Sequence, residues 1–348
     1  MEFTLWAGYN TAIFLIKKAW KGSHPVKKAA VGVDIGGGSV KLGLVSLNGR
    51  VLLRETFATK SIHGRAAFLD VLAAHVADVL AQAGRIGVRV RGVGVGAPGP
   101  IDVDRGFVYF FPNIPGWKDT PLKQWLEKRF KLPVWVDNDA NAMTLAEARF
   151  GAGRGSRNVI VLTLGTGVGG GLVINGQLFH GPAYSAAEIG HLVINENGPR
   201  CACGNRGCIE TYVGSGHFVR EVRRRLKRGG TSVLKKWMVK DKKEMTPLLV
   251  ARAARRGDAF SKKVWRTTAG HLATALAGLV NIFNPERVIL GGGIAQNGAV
   301  LFRPLVRELR KKAFPIAARS ARVVPAALGL DSGLIGAAAL VFEKQGDF

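Results

Sequence analysis

The residues able to do chemistry in this 348-residue chain cluster most tightly around its three cysteines, Cys201, Cys203 and Cys208, with His191 ten residues before the first. Three thiolates and an imidazole complete a closed tetrahedral zinc site, so this spacing points to a structural metal rather than a catalytic one. A disulfide would leave one cysteine over and would ask Cys201 and Cys203 to bridge across a single residue. Arg200 and Arg206 offset the surplus negative charge. Glu188 and Glu210 flank the four ligands closely enough to be held by the same knuckle. Carboxylate oxygens accept hydrogen bonds from O–H donors, so a rigidly held pair suits sugar hydroxyls.

Glycine supplies the second group. Gly36-Gly37-Gly38-Ser39 follows an apolar run ending in Asp34, and Lys41 lies just beyond. Backbone N–H groups in such a turn approach anionic oxygens closely, Lys41 adds charge, and Asp34 is placed to reach a metal ion. Alone, three glycines in a hairpin read as a tight turn. The pattern recurs at Gly165-Thr166-Gly167 and again at Gly291-Gly292-Gly293, and together these turns point to a nucleotide passing between them. Asp139, after the strand-like Val134-Trp135-Val136, has two readings of equal weight. It caps a helix over 142–150, as Asn138 and Asn141 also could, or it accepts the proton of an attacking hydroxyl while bound phosphates and Mg²⁺ stabilise the transferring group.

The elements that must position these residues follow from composition and period. With 47% hydrophobic and 21% charged residues, and 46 Gly against 14 Pro, the chain favours strand-turn-helix units and an α/β architecture of two domains. Residues 31–33, 42–45 and 51–53 read as strands, 66–83 as a helix with apolar side chains at helical spacing, and 90–95 as a strand. A second series with the same strand-hairpin-strand form begins at Val159, which suggests an internal duplication. Later come an apolar helix over 267–283, a buried strand over 287–290 and a closing helix from Ser332.

No apolar stretch reaches the length of a membrane span, and Glu2 and the short apolar core fit a secretory signal poorly, so the cytoplasm is the expected location. Residues 1–29 form an N-terminal extension, readable as a docking helix, a membrane-surface helix or an upstream start. The formal charge of +26 calls for some polyanion, with nucleotide, polyphosphate and nucleic acid as candidates. The basic residues fall in runs, among them 220–228 and 307–312, which read as solvated helix faces, and nucleic acid is not an expected partner.

Six segments carry a resemblance to a known family: residues 33–41, Gly96-Ala97-Pro98-Gly99-Pro100, Asp137-Asn138-Asp139-Ala140-Asn141-Ala142, residues 164–171, Glu188-Ile189-Gly190-His191, and the cysteine segment from Cys201 to Glu210. Through them the chain resembles the ROK family (repressors, open reading frames and kinases), in its bacterial glucokinase-like branch, over about residues 31–342. The resemblance implies an actin-like ATPase (ribonuclease H-like) fold of two α/β lobes around a central cleft. Residues 30–137, completed by a C-terminal helix over 333–348, would form the small lobe, and residues 138–332 the large lobe with its zinc knuckle.

It also implies roles. Asp139 takes the position of the catalytic base, and Gly99, Asn113, Asn138, Glu188, His191 and Glu210 those of sugar contacts. His191 and the three cysteines match the Zn²⁺ ligands. Asp34 to Lys41 and Gly165 to Gly167 match phosphate-binding segments, and Gly291 to Gly293 the adenosine side. Gly38, followed by Ser39, stands where the family usually places Thr. The expected reaction is phosphorylation of a hexose by ATP and Mg²⁺, glucose to glucose 6-phosphate first and N-acetylglucosamine or N-acetylmannosamine as the alternative, in a homodimer or homotetramer. Three rivals are a polyphosphate-dependent kinase, a filament-forming scaffold and a sugar-responsive transcriptional regulator. The last needs a helix-turn-helix ahead of Val31, for which some thirty residues without that pattern are too few.

Overall fold

The computed structural model describes residues 28–59, 62–111, 117–239 and 242–348. Strands β1 (Ala29–Ile35), β2 (Ser39–Ser46) and β3 (Val51–Ala58) form an antiparallel meander, followed by helix α1 (Arg65–Arg85) and strand β4 (Val90–Ala97), the order the periodicity predicts. A three-stranded sheet of β5 (Ile101–Asp102), β6 (Phe107–Phe110) and β7 (Lys118–Thr120) comes next, then α2 (Leu122–Phe130), β8 (Val134–Asn138) and α3 (Asp139–Arg149). The second series holds β9 (Val159–Leu164), β10 (Val168–Ile174) and β11 (Gln177–Leu178). Helices α4 (Glu210–Val213), α5 (Ser215–Lys227), α6 (Val233–Val239), α7 (Pro247–Arg255) and α8 (Ala259–Phe283) follow it. The chain closes with β12 (Arg287–Gly291), α9 (Gly292–Ala295), α10 (Ala299–Lys312), α11 (Pro315–Ser320), β13 (Arg322–Pro325) and α12 (Ser332–Lys344).

The two large sheets have one topology. Their orders are β3-β2-β1-β4-β8 and β11-β10-β9-β12-β13, each an antiparallel meander extended by two parallel strands. The duplication read from the two glycine-interrupted strand series is thus present in strand order and strand sense. Parallel central strands need cover on both faces. In the first sheet, Val31, Val33 and Ile35 of β1 pack with Phe68, Leu72 and Val76 of α1, while Ala30 faces Leu334 and Ala338 of α12. Helix α12 can lie this close because β4 presents Gly94, where a Cβ would fall 1.8 Å from the carbonyl oxygen of Ala337.

By length and composition α1 could cross a membrane, yet Phe68, Leu69, Leu72, Val76 and Val79 are buried in the core of the first sheet. Burying each such side chain contributes about 1.5–3 kcal/mol, so α1 is read as a core helix.

Three boundaries differ from the sequence reading. Helix α8 begins at Ala259 rather than 267, because the Asp258 side chain accepts from the N–H of Ser261 and caps it. Helix α3 begins at Asp139 rather than 142. The triple glycine is not an open turn: Gly291 ends β12, and Gly292, at φ +82°, starts the short α9 against the carbonyl of Leu164.

Candidate active site

The junction from β8 to α3 gathers the acidic residues. Asn138 is extended (φ −63°, ψ 144°) and its side chain accepts from the N–H of Ala140 at 2.9 Å, so Asn138 is the helix cap. Asp139 is the first residue of the helix proper, and its Oδ1 takes the same N–H at 2.8 Å. Of the two readings open at Asp139, capping has passed to its neighbour. Burial raises the Asp139 pKa; Glu188 adds to the rise, and the Ala140 hydrogen bond opposes it.

Asn138, Asp139, Glu188 and Gly99 line one cavity of about 320 Å³, together with Asn141 and Tyr184. His191 and Glu210 are not among its lining residues, and Asn113 lies outside the described residues. Glu210 Oε2 instead accepts from the N–H of Val168 at 2.9 Å, tying α4 to the strand that follows Gly165-Thr166-Gly167.

A second cavity, of about 440 Å³, is lined by Asp34, Lys41 and Gly291, Gly292 and Gly293. Gly36, Gly37, Gly38 and Ser39 do not line it, nor do Gly165, Thr166 and Gly167. Each turn closes on itself, with Gly36 N donating to Ser39 O and Gly165 N to Gly167 O, both at 3.0 Å. Lys41 Nζ donates to the carbonyl of Leu330 at 3.0 Å. The carboxylate of Asp34 sits over Gly333 in the first turn of α12, where a Cβ would come within 2.3 Å of Oδ2. Burial pushes the Asp34 pKa up from 3.8 to about 6, with repulsion from Asp139 adding and Lys41 opposing. The two cavities are therefore coupled through a pair of partly buried carboxylates.

That pair has a measurable consequence. A shift from 3.8 to about 6 corresponds to roughly 3 kcal/mol of disfavoured ionisation at neutral pH. The folded chain binds more protons than the unfolded chain between those values, so this contribution falls as pH rises through the window. Asp34→Asn should raise the melting temperature of the ligand-free protein at pH 7.5 by a few degrees while reducing turnover; calorimetry beside a rate assay checks both.

His191 Nδ1 lies 3.6 Å from Cys201 Sγ, and Cys203 Sγ lies 3.6 Å from Cys208 Sγ. All four donor atoms fall within 4.8 Å of one another. Zinc bonds of about 2.3 Å to sulfur and 2.0–2.1 Å to nitrogen give tetrahedral edges of about 3.6–3.8 Å, so the donor set fits the ion.

A family model described as ROK family matches residues 30–344. The chain belongs to the ROK family. It is 39% identical over 320 residues to a glucokinase of Thermotoga maritima, covering 92% of this chain and 99% of that one. A solved ROK family glucokinase from Streptomyces griseus, in complex with glucose and AMPPNP, is 35% identical with a TM-score of 0.71, covering 90% of this chain and 98% of that one. A ROK family transcriptional regulator, a homologue of the E. coli MLC protein, superimposes with a TM-score of 0.82 at 27% identity, covering 90% of this chain and 78% of that one. The paired five-stranded sheets are the actin-like ATPase fold of these ROK kinases.

Three features of this ROK protein escaped the sequence reading. Asp137 is 2% exposed; its Oδ1 accepts from Asn138 N at 2.7 Å and Asn141 Nδ2 at 3.0 Å, and its Oδ2 meets His180 Nε2 at 2.6 Å. This clamp fixes the turn that presents Asp139. Glu147, also buried, accepts from the N–H groups of Ala152, Ala327 and Leu328, joining α3 to the loop beneath the second cavity. Tyr184, at φ +55°, donates to Asp104 at 2.5 Å, linking the loop that walls the first cavity to the turn between β5 and β6. A non-glycine residue in the left-handed region stores strain, which the Asp104 contact holds in place.

Proposed function

We propose that the chain is a glucokinase, transferring the terminal phosphoryl group of ATP to the 6-hydroxyl of glucose. The observation that carries the reading is the pair of partly buried carboxylates, Asp139 in one cavity and Asp34 in the other, with Asp139 raising the cost of ionising Asp34. A polyhydroxylated acceptor fits beside Asn138, Asp139 and Glu188, and a nucleotide fits along Lys41 and Gly291 to Gly293.

In this reading Asp139 accepts the proton of the attacking hydroxyl as the oxygen–phosphorus bond forms, and ADP departs with the electron pair of the broken bond. A carboxylate whose pKa is raised is a better base than an exposed one. Asn138 and Glu188 orient the sugar through its hydroxyls. Glu210 and His191 lie outside the residues lining the first cavity; Glu210 Oε1 and His191 Nε2 are the atoms left to meet a hydroxyl as the sugar binds, since Oε2 is taken by Val168 and Nδ1 faces the thiols. Lys41 neutralises phosphate charge, and Asp34 would hold Mg²⁺, which supplies the positive charge that screens the phosphoryl oxygens when bound. Zn²⁺ on His191, Cys201, Cys203 and Cys208 would have a structural role, since no ligand position is left open.

The test is a coupled ADP-release assay with ATP and Mg²⁺ across glucose, mannose, N-acetylglucosamine and N-acetylmannosamine. Glucose should give the highest kcat/KM. Turnover confined to an N-acetylated sugar would reassign the acceptor, and no turnover with any sugar from folded protein would sink the kinase reading.

A further inference from the structure

The basic run on α5 does not all face solvent. Arg220, Arg224 and Arg225 converge on a third cavity, of about 390 Å³, closed on its far side by α8 and on its floor by α4. His217 and His271 stand on its walls, and Glu221 is the one acidic residue lining it. A volume near the lower end of the range for small-molecule sites suits a compact ligand.

The charge in this cavity is in excess. Glu221 is occupied by its neighbours: Oε1 takes Arg224 Nη2 and Arg225 Nε, and Oε2 takes Arg224 Nε, each at 2.6 Å. One carboxylate thus faces three guanidinium groups. Arg220 turns Nη2 onto His217 Nδ1 at 2.8 Å, which requires that nitrogen to be an unprotonated acceptor. Both imidazoles are held below the ordinary range, by burial first and then by Arg220 at His217 and Arg225 at His271, so the positive field is felt on both walls. The Tyr212 ring lies against His271, tilted with centroids 4.3 Å apart, and forms part of the wall. An excess of cationic donors around one cavity is suited to an anionic ligand.

We propose that this cavity between α4, α5 and α8 is a binding site for the phosphoryl group of a small metabolite, distinct from the nucleotide cavity. Guanidinium groups recognise phosphate oxygens by paired N–H donors, and three of them lining one cavity supply both charge and direction. Its position gives it a route to the reaction centre. Helix α4 carries Thr211 and Tyr212 on the cavity wall and Glu210 on Val168, and Ser215, at the start of α5, donates its N–H to the carbonyl of Gly165. The binding itself does not rest on the kinase reading.

Two sources share this chemistry, free orthophosphate and a phosphate monoester such as glucose 6-phosphate. Calorimetric titration of each into the full chain, held saturated with AMPPNP and glucose, separates the third cavity from the other two. Orthophosphate binding at millimolar concentration or tighter is expected, weakened at least tenfold in the Arg220→Gln/Arg225→Gln double variant. A tighter isotherm for glucose 6-phosphate would show that the ester is the better occupant. Thr267→Glu provides a second route: Thr267 Oγ1 lies 3.4 Å from Arg225 Nη1, so a carboxylate there would occupy the cavity from within and abolish the isotherm while ATP-dependent turnover persists. Equal binding in the double variant, loss of binding on saturation with AMPPNP and glucose, or no binding by either probe would overturn the proposal.

Discussion

Asp139→Asn should lower kcat by about 10²–10⁴-fold while glucose binds with an affinity within a few-fold of the parent. The replacement is isosteric and keeps an oxygen for the N–H of Ala140, so the start of α3 and the Asn138 cap survive. What is lost is the capacity to take a proton, and that loss falls on kcat rather than on ground-state binding. The pH profile gives a second reading of the same residue. The Asp139 and Asp34 pKa values are both raised, so each carboxyl keeps its proton to higher pH than a free one, and kcat/KM should fall as pH drops through about 6, the value for Asp34. In the variant the repulsion from Asp139 is gone, so the acid limb of any residual activity should move to lower pH. Glucose calorimetry and pH–rate profiles on both proteins check the two halves; retained turnover would remove Asp139 from the base position.

Much of this site was legible because its residues are contiguous. Cys201, Cys203, Cys208 and His191 fall within a segment short enough to fold on itself, and the donor atoms do converge. Asp139, Asn138, Glu188 and Gly99 share a cavity, as do Asp34, Lys41 and the third glycine turn. The two hairpin turns read as phosphate-binding do not line the second cavity, and each carries one backbone bond within the turn, which composition does not encode.

What stayed hidden depends on tertiary neighbours. His180 is a lone histidine 43 residues from Asp137, and nothing at either position announces the pair. Glu147 looks like an exposed residue on an amphipathic helix until the loop at Ala327 and Leu328 folds over it. The run from Arg220 to Arg228 reads as a solvated face because helical periodicity shows which side chains share a side, not that α4 and α8 close over it. Capping at Asn138 against Asp139 was undecidable for a related reason: adjacent residues with equal cap preference are separated only by backbone dihedrals.

Replacing Cys203 by Ser should strip the chain of zinc and, with it, of most of its affinity for glucose. Cys203 is exposed, so the hydroxyl introduces no buried unsatisfied group, and any effect must come through the metal. The segment has little else to hold it: residues 202–206 are exposed, and the turn rests on a few backbone bonds such as Cys201 N to Asn205 O at 2.8 Å and Gly207 N to Pro199 O at 2.8 Å. A small loop that buries almost no apolar surface needs a staple. Its consequences reach the sugar site through Cys208, whose bridge to Val193 and immediate connection to α4 set the position of Glu210 against Val168. Metal analysis should show a fall from about one zinc per chain to a small fraction of that, and glucose affinity should drop at least tenfold, with AMPPNP affinity changing less because the nucleotide cavity is built from β12, α9 and α12 instead. Unchanged zinc stoichiometry would refute the site, whereas zinc loss with undiminished glucose affinity would separate the knuckle from the sugar carboxylates and leave Glu188 and Asn138 to hold the substrate alone.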